Sequence, residues 1–250
     1  MAPDPCPGHP PLLDADCALF LDVDGTLLDF ADRPDRVRPA AGLGDILARL
    51  HRRLHGALAL VSGRPLAELD RLFAPLVLPA AGLHGHQLRP TPEIEATPPD
   101  EVPDALHALH AQAERFAAQH PGVLVEDKGA GLALHWRRCP ESSADVQAFA
   151  RQYLDRLEGY RLQPGDHVVE FVPSGCDKGA ALRAMMDRPP FAGRVPVFVG
   201  DDLTDEFGFA AANALGGWSV RVGRRLPTAA TYGLDDVAAV HAWLQEQADG

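Results

Sequence analysis

The stretch CALFLDVDGTLLDF, Cys17 to Phe30, constrains the fold more than any other. Its apolar run has strand length and no alternation, the pattern of a strand covered on both faces. Strands buried in this way belong to parallel sheets, whose crossovers are helices, so the chain must alternate strand and helix. The run ends in two aspartates one residue apart, Asp22 and Asp24, followed by Gly25 and Thr26. Like charges so close repel each other and are costly to desolvate. Something positive, or something that uses the strain, must therefore sit at this strand end.

The following segments obey the same logic. Leu43, Ile46, Leu47, Leu50 and Leu54 recur at helical spacing, with Gly56 placed to end that helix. ALALV (57–61) is a second buried strand, ending in SGRP, where Pro65 suits the first turn of a helix. PLVLPA then supplies a third strand leading into AGLHGHQLR. Right-handed βαβ crossovers make this a doubly wound, Rossmann-like parallel sheet of the α/β class. At Arg89 the pattern changes to RPTPEIEATPPDEVPD, a Pro-rich acidic linker. Beyond it a helix from Pro103 to Gln119 precedes VLVED and LALHWR, and a helix from Ser143 to Leu157 precedes YRLQ and HVVEFV. In LALHWR, Leu132, Leu134 and Trp136 alternate with Ala133, His135 and Arg137, as in a half-buried antiparallel strand. After VPSGC the first pattern resumes: a helix near Lys178, the strand VPVFVG, a helix after Thr204, a last strand WSVRV, and a helix carrying Val237, Val240, Trp243 and Leu244. The expected organisation is a Pro-rich, frayed leader (1–15), a core (16–88 and 173–250), and an inserted α+β cap (89–172).

The 250 residues carry a formal charge of −12, which argues against binding to nucleic acid or an anionic membrane. No apolar run reaches the ~18 residues of a membrane span, and the acidic start lacks the features of a signal peptide. The cysteines Cys6, Cys17, Cys139 and Cys176 are scattered, without a C-x-x-C pair. They read as reduced thiols of a cytoplasmic protein.

In a doubly wound sheet, function gathers beyond the carboxyl ends of the strands. Four such ends bear polar signatures: Asp22-Val-Asp24-Gly-Thr26; Ser62-Gly63-Arg64; Lys178-Gly179; and Gly200-Asp201-Asp202 with Thr204-Asp205-Glu206. Asp22 and Asp201, from two strand ends, can hold a hard cation, with Mg²⁺ the best match. Asp22 then suits a carboxylate nucleophile attacking phosphorus, and Asp24 a general acid and base. Hydroxyls of Thr26 and Ser62 can hold phosphoryl oxygens, while Lys178 offsets developing negative charge.

These motifs resemble those of the haloacid dehalogenase superfamily of phosphohydrolases, and the inserted module looks like its larger (C2-type) cap. LDVDGTL, VSGRP, EDKGAGLALHWR, VVEFVPSGCDKG and GDDLTDEFGF together resemble the trehalose-6-phosphate phosphatases. The resemblance spans residues 17 to 245. It implies hydrolysis of trehalose 6-phosphate to trehalose and phosphate through an aspartyl-phosphate, the last step of trehalose synthesis, with functional coupling to a trehalose-6-phosphate synthase. It further implies Asp22, Asp24, Ser62 and Lys178 as catalytic residues. Asp22, Asp24 (through its backbone carbonyl), Asp201 and Asp202 form the Mg²⁺ set. Glu126, Lys128 and Glu170 would meet sugar hydroxyls, with Thr26 also on the substrate and Arg64 either on the substrate or paired with a motif carboxylate. Read alone, Glu126 and Lys128 would be an ordinary cross-turn ion pair. Two departures stand out: Val172 where the family often has Arg, and His86-Gln87 where a small residue and an acid are common. A phosphatase of sucrose phosphate or a phosphoglycerate sugar is the neighbouring alternative, and a noncatalytic sugar-phosphate sensor the other. The sensor would be expected to have lost Asp22 or Asp24. Oligomeric state is left open, with a monomer favoured.

Overall fold

A computed structural model describes residues 8–29, 38–93 and 103–249. Most of the acidic linker and the first residues of the leader, Cys6 among them, lie outside this range. In chain order the elements are β1 (Cys17–Leu21), α1 (Leu43–Arg53), β2 (Leu58–Val61), α2 (Leu66–Phe73), β3 (Ala80–Gly82) and β4 (Gln87–Arg89). Then come α3 (Asp104–Gln119), β5 (Leu124–Asp127), β6 (Leu132–His135), α4 (Ser143–Leu154), β7 (Tyr160–Gly165) and β8 (Val168–Pro173). The chain closes with α5 (Lys178–Met186), β9 (Val195–Gly200), α6 (Asp205–Ala214), β10 (Trp218–Val222), β11 (Tyr232–Leu234) and α7 (Val237–Asp249). They fall into two compact units, Met1–Thr97 with Asp177–Gly250, and Pro98–Cys176.

The first unit holds a sheet in the order β11-β10-β9-β1-β2-β3-β4, parallel except for β4. β1 is central, and the chain leaves it toward β2 on one side and later returns to β9 on the other. That reversal is the switch point at which α/β sheets open a crevice. All five residues of β1 are buried, which requires cover on both faces. The cover comes from α1 packed with α7 and α5 packed with α6. Phe20, Phe198, Phe209 and Trp243 are fully buried in this core.

Three features differ from the sequence reading. PLVLPA is not itself a strand: Pro75 and Pro79 lack the N–H a ladder needs, and β3 begins only at Ala80. It turns back at once into β4, an antiparallel edge strand whose Arg89 forks onto Asp70 (2.6 and 2.8 Å) and onto the Leu78 carbonyl. WSVRV is followed by another strand, β11, three residues long and too short to register as a pattern. The frayed leader is corrected in its second half. Leu13 is buried, its N–H donates to Gln247 Oε1 (2.7 Å) and its carbonyl accepts from Arg53 (3.0 Å).

In the second unit the order is β5-β6-β8-β7, all antiparallel. One face carries Leu132, Leu134 and Phe171 onto α3 and α4, with Trp136, Val146 and Phe149 in the same core. Register brings Glu126, Ala133, Glu170 and Gln163 abreast across the four strands, so these four side chains share the other face. Among the described residues no helix is long and apolar enough to cross a membrane.

Candidate active site

The site of the first unit is assembled from strand ends. β1 delivers Asp22, 3 % exposed, and the chain then folds tightly, with the Leu27 and Leu28 amides both donating to the Val23 carbonyl. Gly25 makes this turn possible. Its φ of 84° is left-handed, and a Cβ there would collide with the Asp201 carboxylate. The turn brings Thr26 back under the strand end. Its hydroxyl oxygen lies 3.2 Å from Asp22 Oδ2 and 3.4 Å from Asp201 Oδ1, so one proton is shared between two carboxylates.

Lys178 opens α5, whose first turn is capped by the Asp177 side chain accepting from the Ala180 amide. The ammonium is 3 % exposed and donates to Asp22 Oδ1 (2.6 Å) and Asp205 Oδ1 (2.7 Å). Asp205 Oδ2 accepts the amides of Asp201 and Asp202, both at 2.9 Å, and so ties the loop after β9 to the lysine. From β2, Ser62 is buried and its hydroxyl accepts the Arg64 amide (3.1 Å). The Arg64 guanidinium forks onto Asp24, both bonds 2.6 Å, and reaches Glu68 at 3.3 Å. Of the two roles expected for Arg64, it takes the pairing with a motif carboxylate, Asp24. The His84 ring lies against Gly63, where a Cβ would sit 2.8 Å from Nε2.

The expected set of four metal aspartates divides. Asp22 and Asp201 converge, and the third carboxylate with them is Asp205: an oxygen from each lies within 4.8 Å of the others. The Asp24 carboxylate is taken up by Arg64, a pairing that leaves its backbone carbonyl, the atom expected on the metal, unaffected. The Asp202 carboxylate caps the start of α6, accepting from the Thr204 amide (2.8 Å), the Thr204 hydroxyl (2.6 Å) and the Asp205 amide (3.2 Å). Asp205 received no role from the sequence beyond its place in GDDLTDE. Its signal there was a third acid four residues past Asp201, where one helical turn points it back at the strand end.

Charge accounts for the fit to a cation. Burial pushes the Asp22 carboxyl up to about 8, against the pull of Lys178 and with the push of Asp201. Burial, reinforced by Asp205 and Asp202, raises Asp201 to about 7. Burial would lower Lys178, but Asp205 and Asp22 outweigh it and hold the ammonium well above its ordinary value. Two carboxylates, Asp22 and Asp205, thus share one ammonium, and the third, Asp201, converges with them. All the atoms they offer are hard oxygens, the donor set of Mg²⁺ rather than of a thiophilic metal.

On the second unit's sheet face, Lys128 Nζ donates to Glu170 Oε1 (2.6 Å), and Glu126 Oε2 lies 2.7 Å from His135 Nε2. Burial raises Glu126, yet the His135 hydrogen bond and the Lys128 charge leave it below its ordinary value. The sequence reading missed His135. Its strand alternation did put it on the face of Ala133.

Residues 20–238 match the family model described as trehalose-phosphatase. The chain is 42% identical over 217 residues to a probable trehalose-phosphate phosphatase of Sinorhizobium fredii, covering 86% of this chain and 81% of that protein. It is 41% identical over 237 residues to the trehalose-6-phosphate phosphatase of Escherichia coli, covering 94% and 88%. Among solved structures, the C-terminal domain of the C. albicans trehalose-6-phosphate phosphatase superposes with a TM-score of 0.85 at 20% identity, covering 94% of this chain and 93% of that one. A phosphatase of the HAD superfamily from Bacteroides thetaiotaomicron matches with a TM-score of 0.61 at 16% identity, covering 95% and 96%. At these identities the two structures speak to the fold alone.

Proposed function

The chain belongs to the trehalose-phosphatase family, and from that premise we propose that it hydrolyses trehalose 6-phosphate to trehalose and inorganic phosphate, with Asp22 as nucleophile. The observation that carries the reading is Asp22 itself, buried at a switch-point strand end and bonded to Lys178. An Asp22 oxygen attacks phosphorus as the bond from phosphorus to the sugar oxygen breaks. The departing alkoxide takes the proton of the Asp24 carboxyl, which the Arg64 fork aims from the neighbouring strand end. In the second half, water attacks phosphorus, gives its proton to Asp24, and the Asp22–phosphorus bond breaks to release phosphate. Lys178 offsets charge on the phosphoryl group, and the Ser62 and Thr26 hydroxyls are available to its oxygens. Asp22 and Asp201, with Asp205 beside them, would hold Mg²⁺, which supplies fixed positive charge against the repulsion between carboxylates and phosphate.

Glu126, Lys128 and Glu170 are proposed to read the sugar, since a disaccharide presents only hydroxyls and charged partners bind these strongly. The free thiols of Cys17 and Cys139 support a reducing compartment such as the cytoplasm. The test is phosphate release from a panel of sugar phosphates and p-nitrophenyl phosphate, with Mg²⁺ and with EDTA. Trehalose 6-phosphate should lead the panel, and EDTA should abolish turnover. Alanine at Glu126, Lys128 or Glu170 should lower kcat/KM for trehalose 6-phosphate by about ten- to a hundredfold, at ~1.5–3 kcal/mol per charged hydrogen bond. The small ester should be spared. Equal losses on both substrates would remove these residues from sugar recognition.

A further inference from the structure

Arg225 lies outside all four motifs, in the connection between β10 and β11. Its guanidinium nevertheless gathers the loop that carries Asp201. Nε donates to the Asp201 carbonyl (3.3 Å), and Nη2 to the Asp202 carbonyl (2.8 Å) and to Glu206 Oε1 (2.6 Å). The ring closes through Glu206, whose Oε2 accepts the Ala229 amide (2.7 Å) from the same connection. Arg225 is itself secured, because its carbonyl accepts from Arg221 Nη1 (3.0 Å), and Arg221 pairs in register with Gly200, next to Asp201. Strand order explains the arrangement: β10 is the neighbour of β9, so the loops leaving both strands run side by side.

The loop after β9 has a particular need for this. Asp205 satisfies the amides of Asp201 and Asp202 from one side with its carboxylate, and its own amide donates to the Asp202 carbonyl at 3.3 Å. The Asp201 carbonyl and the second lone pair of the Asp202 carbonyl are left to be met from the other side. Asp201, Asp202 and Asp205 crowd like charge into five residues, which favours splaying of the loop. A guanidinium spanning two consecutive carbonyls and the Glu206 carboxylate opposes it, with a planar fork that lysine cannot reproduce.

We propose that Arg225, locked by Glu206, is a positioning residue that sets the cation affinity of the site by fixing where Asp201 points. The proposal rests on the reading of Asp22, Asp201 and Asp205 as the cation site. It concerns the metal alone, independently of which sugar phosphate is cleaved. Outer partners that orient ligands typically change metal affinity by roughly 10–100-fold when removed.

The test is Mg²⁺ binding to the full-length, EDTA-stripped protein, read by calorimetry and by the rise in Tm on Mg²⁺ titration, without substrate. Arg225→Ala should weaken Mg²⁺ binding by about 10–100-fold. Arg225→Lys and Glu206→Gln, which break the same ring more gently, should each weaken it by a smaller factor. Activity of each variant should recover as Mg²⁺ is raised, shifting the metal requirement more than kcat at saturation. Arg224→Ala, at the exposed neighbour paired with Asp235, should leave the Mg²⁺ constant unchanged. If the Arg225 and Glu206 variants have lower Tm in EDTA but bind Mg²⁺ as the wild type does, Arg225 serves the fold only and the proposal is overturned. Wild-type protein that binds no Mg²⁺ would instead overturn the cation site, and the proposal with it.

Discussion

Asp22 has its two oxygens in different hands, Oδ1 with Lys178 and Oδ2 with the Thr26 hydroxyl. Asparagine would fill the same space and cannot form an acyl phosphate, so Asp22→Asn should cut turnover by at least about 10³-fold while far-UV circular dichroism stays native. Asp24→Asn should also fail, for a different reason. With p-nitrophenyl phosphate, whose leaving group needs no acid, the attack on phosphorus is retained, but the water that resolves the intermediate lacks its base. Phosphorylated Asp22 should then accumulate and be seen by mass spectrometry after an acid quench. A catalytically competent Asp22→Asn protein would refute the covalent route.

At the scale of the element, α5 is the device that delivers Lys178. Its second residue, Gly179, packs directly on the Phe207 carbonyl of α6, and a methyl group there would collide with that backbone. Gly179→Ala must therefore push α5 and α6 apart, at a cost of about 1–3 kcal/mol for overpacking. Because the lysine is the first residue of the same helix, the loss should reach chemistry as well as stability. Asp177→Ala removes only the cap of α5, worth ~1 kcal/mol, and leaves the packing on α6 intact. Urea unfolding with parallel kcat measurements should separate them: both variants unfold earlier, and Gly179→Ala loses the larger share of kcat. If Gly179→Ala kept full kcat, the close approach of the two helices would not be what holds the lysine.

For the whole molecule, the buried carboxylates make folding sensitive to pH and to metal together. Asp22 and Asp201 have folded-state values of about 8 and about 7, against an ordinary 3.8. Groups raised in this way bind more protons folded than unfolded, so the metal-free protein loses stability as pH rises from about 4 toward 8. In EDTA, the wild type should melt lower at pH 8 than at pH 5. Asp22→Asn should flatten that fall and melt above the wild type at pH 8. Mg²⁺ should restore more at pH 8 than at pH 5, because at low pH it competes with protons for the same oxygens. Identical profiles for the wild type and Asp22→Asn would contradict the burial of a costly carboxylate at position 22.

The sequence by itself determined the α/β pattern, a central strand ending at Asp22, and the polar signature at each of four strand ends. Those features are local: an apolar run of strand length, a 3.6-residue repeat such as Leu43–Leu47–Leu50, and a turn that needs Gly25 are written into neighbouring residues. Tertiary structure decided which side chains meet. Asp24 is two residues from Asp22 yet points to Arg64, because Arg64 lies in the loop that leaves the adjacent strand β2. Asp205 is 183 positions from Asp22 and shares Lys178 with it, because β9 lies beside β1 and one helical turn aims Asp205 back. Arg225 reaches the loop of Asp201 only because β10 takes the place next to β9. Strand order and loop dihedrals set these meetings through contacts among residues far apart in the chain, and no short window of sequence contains that information.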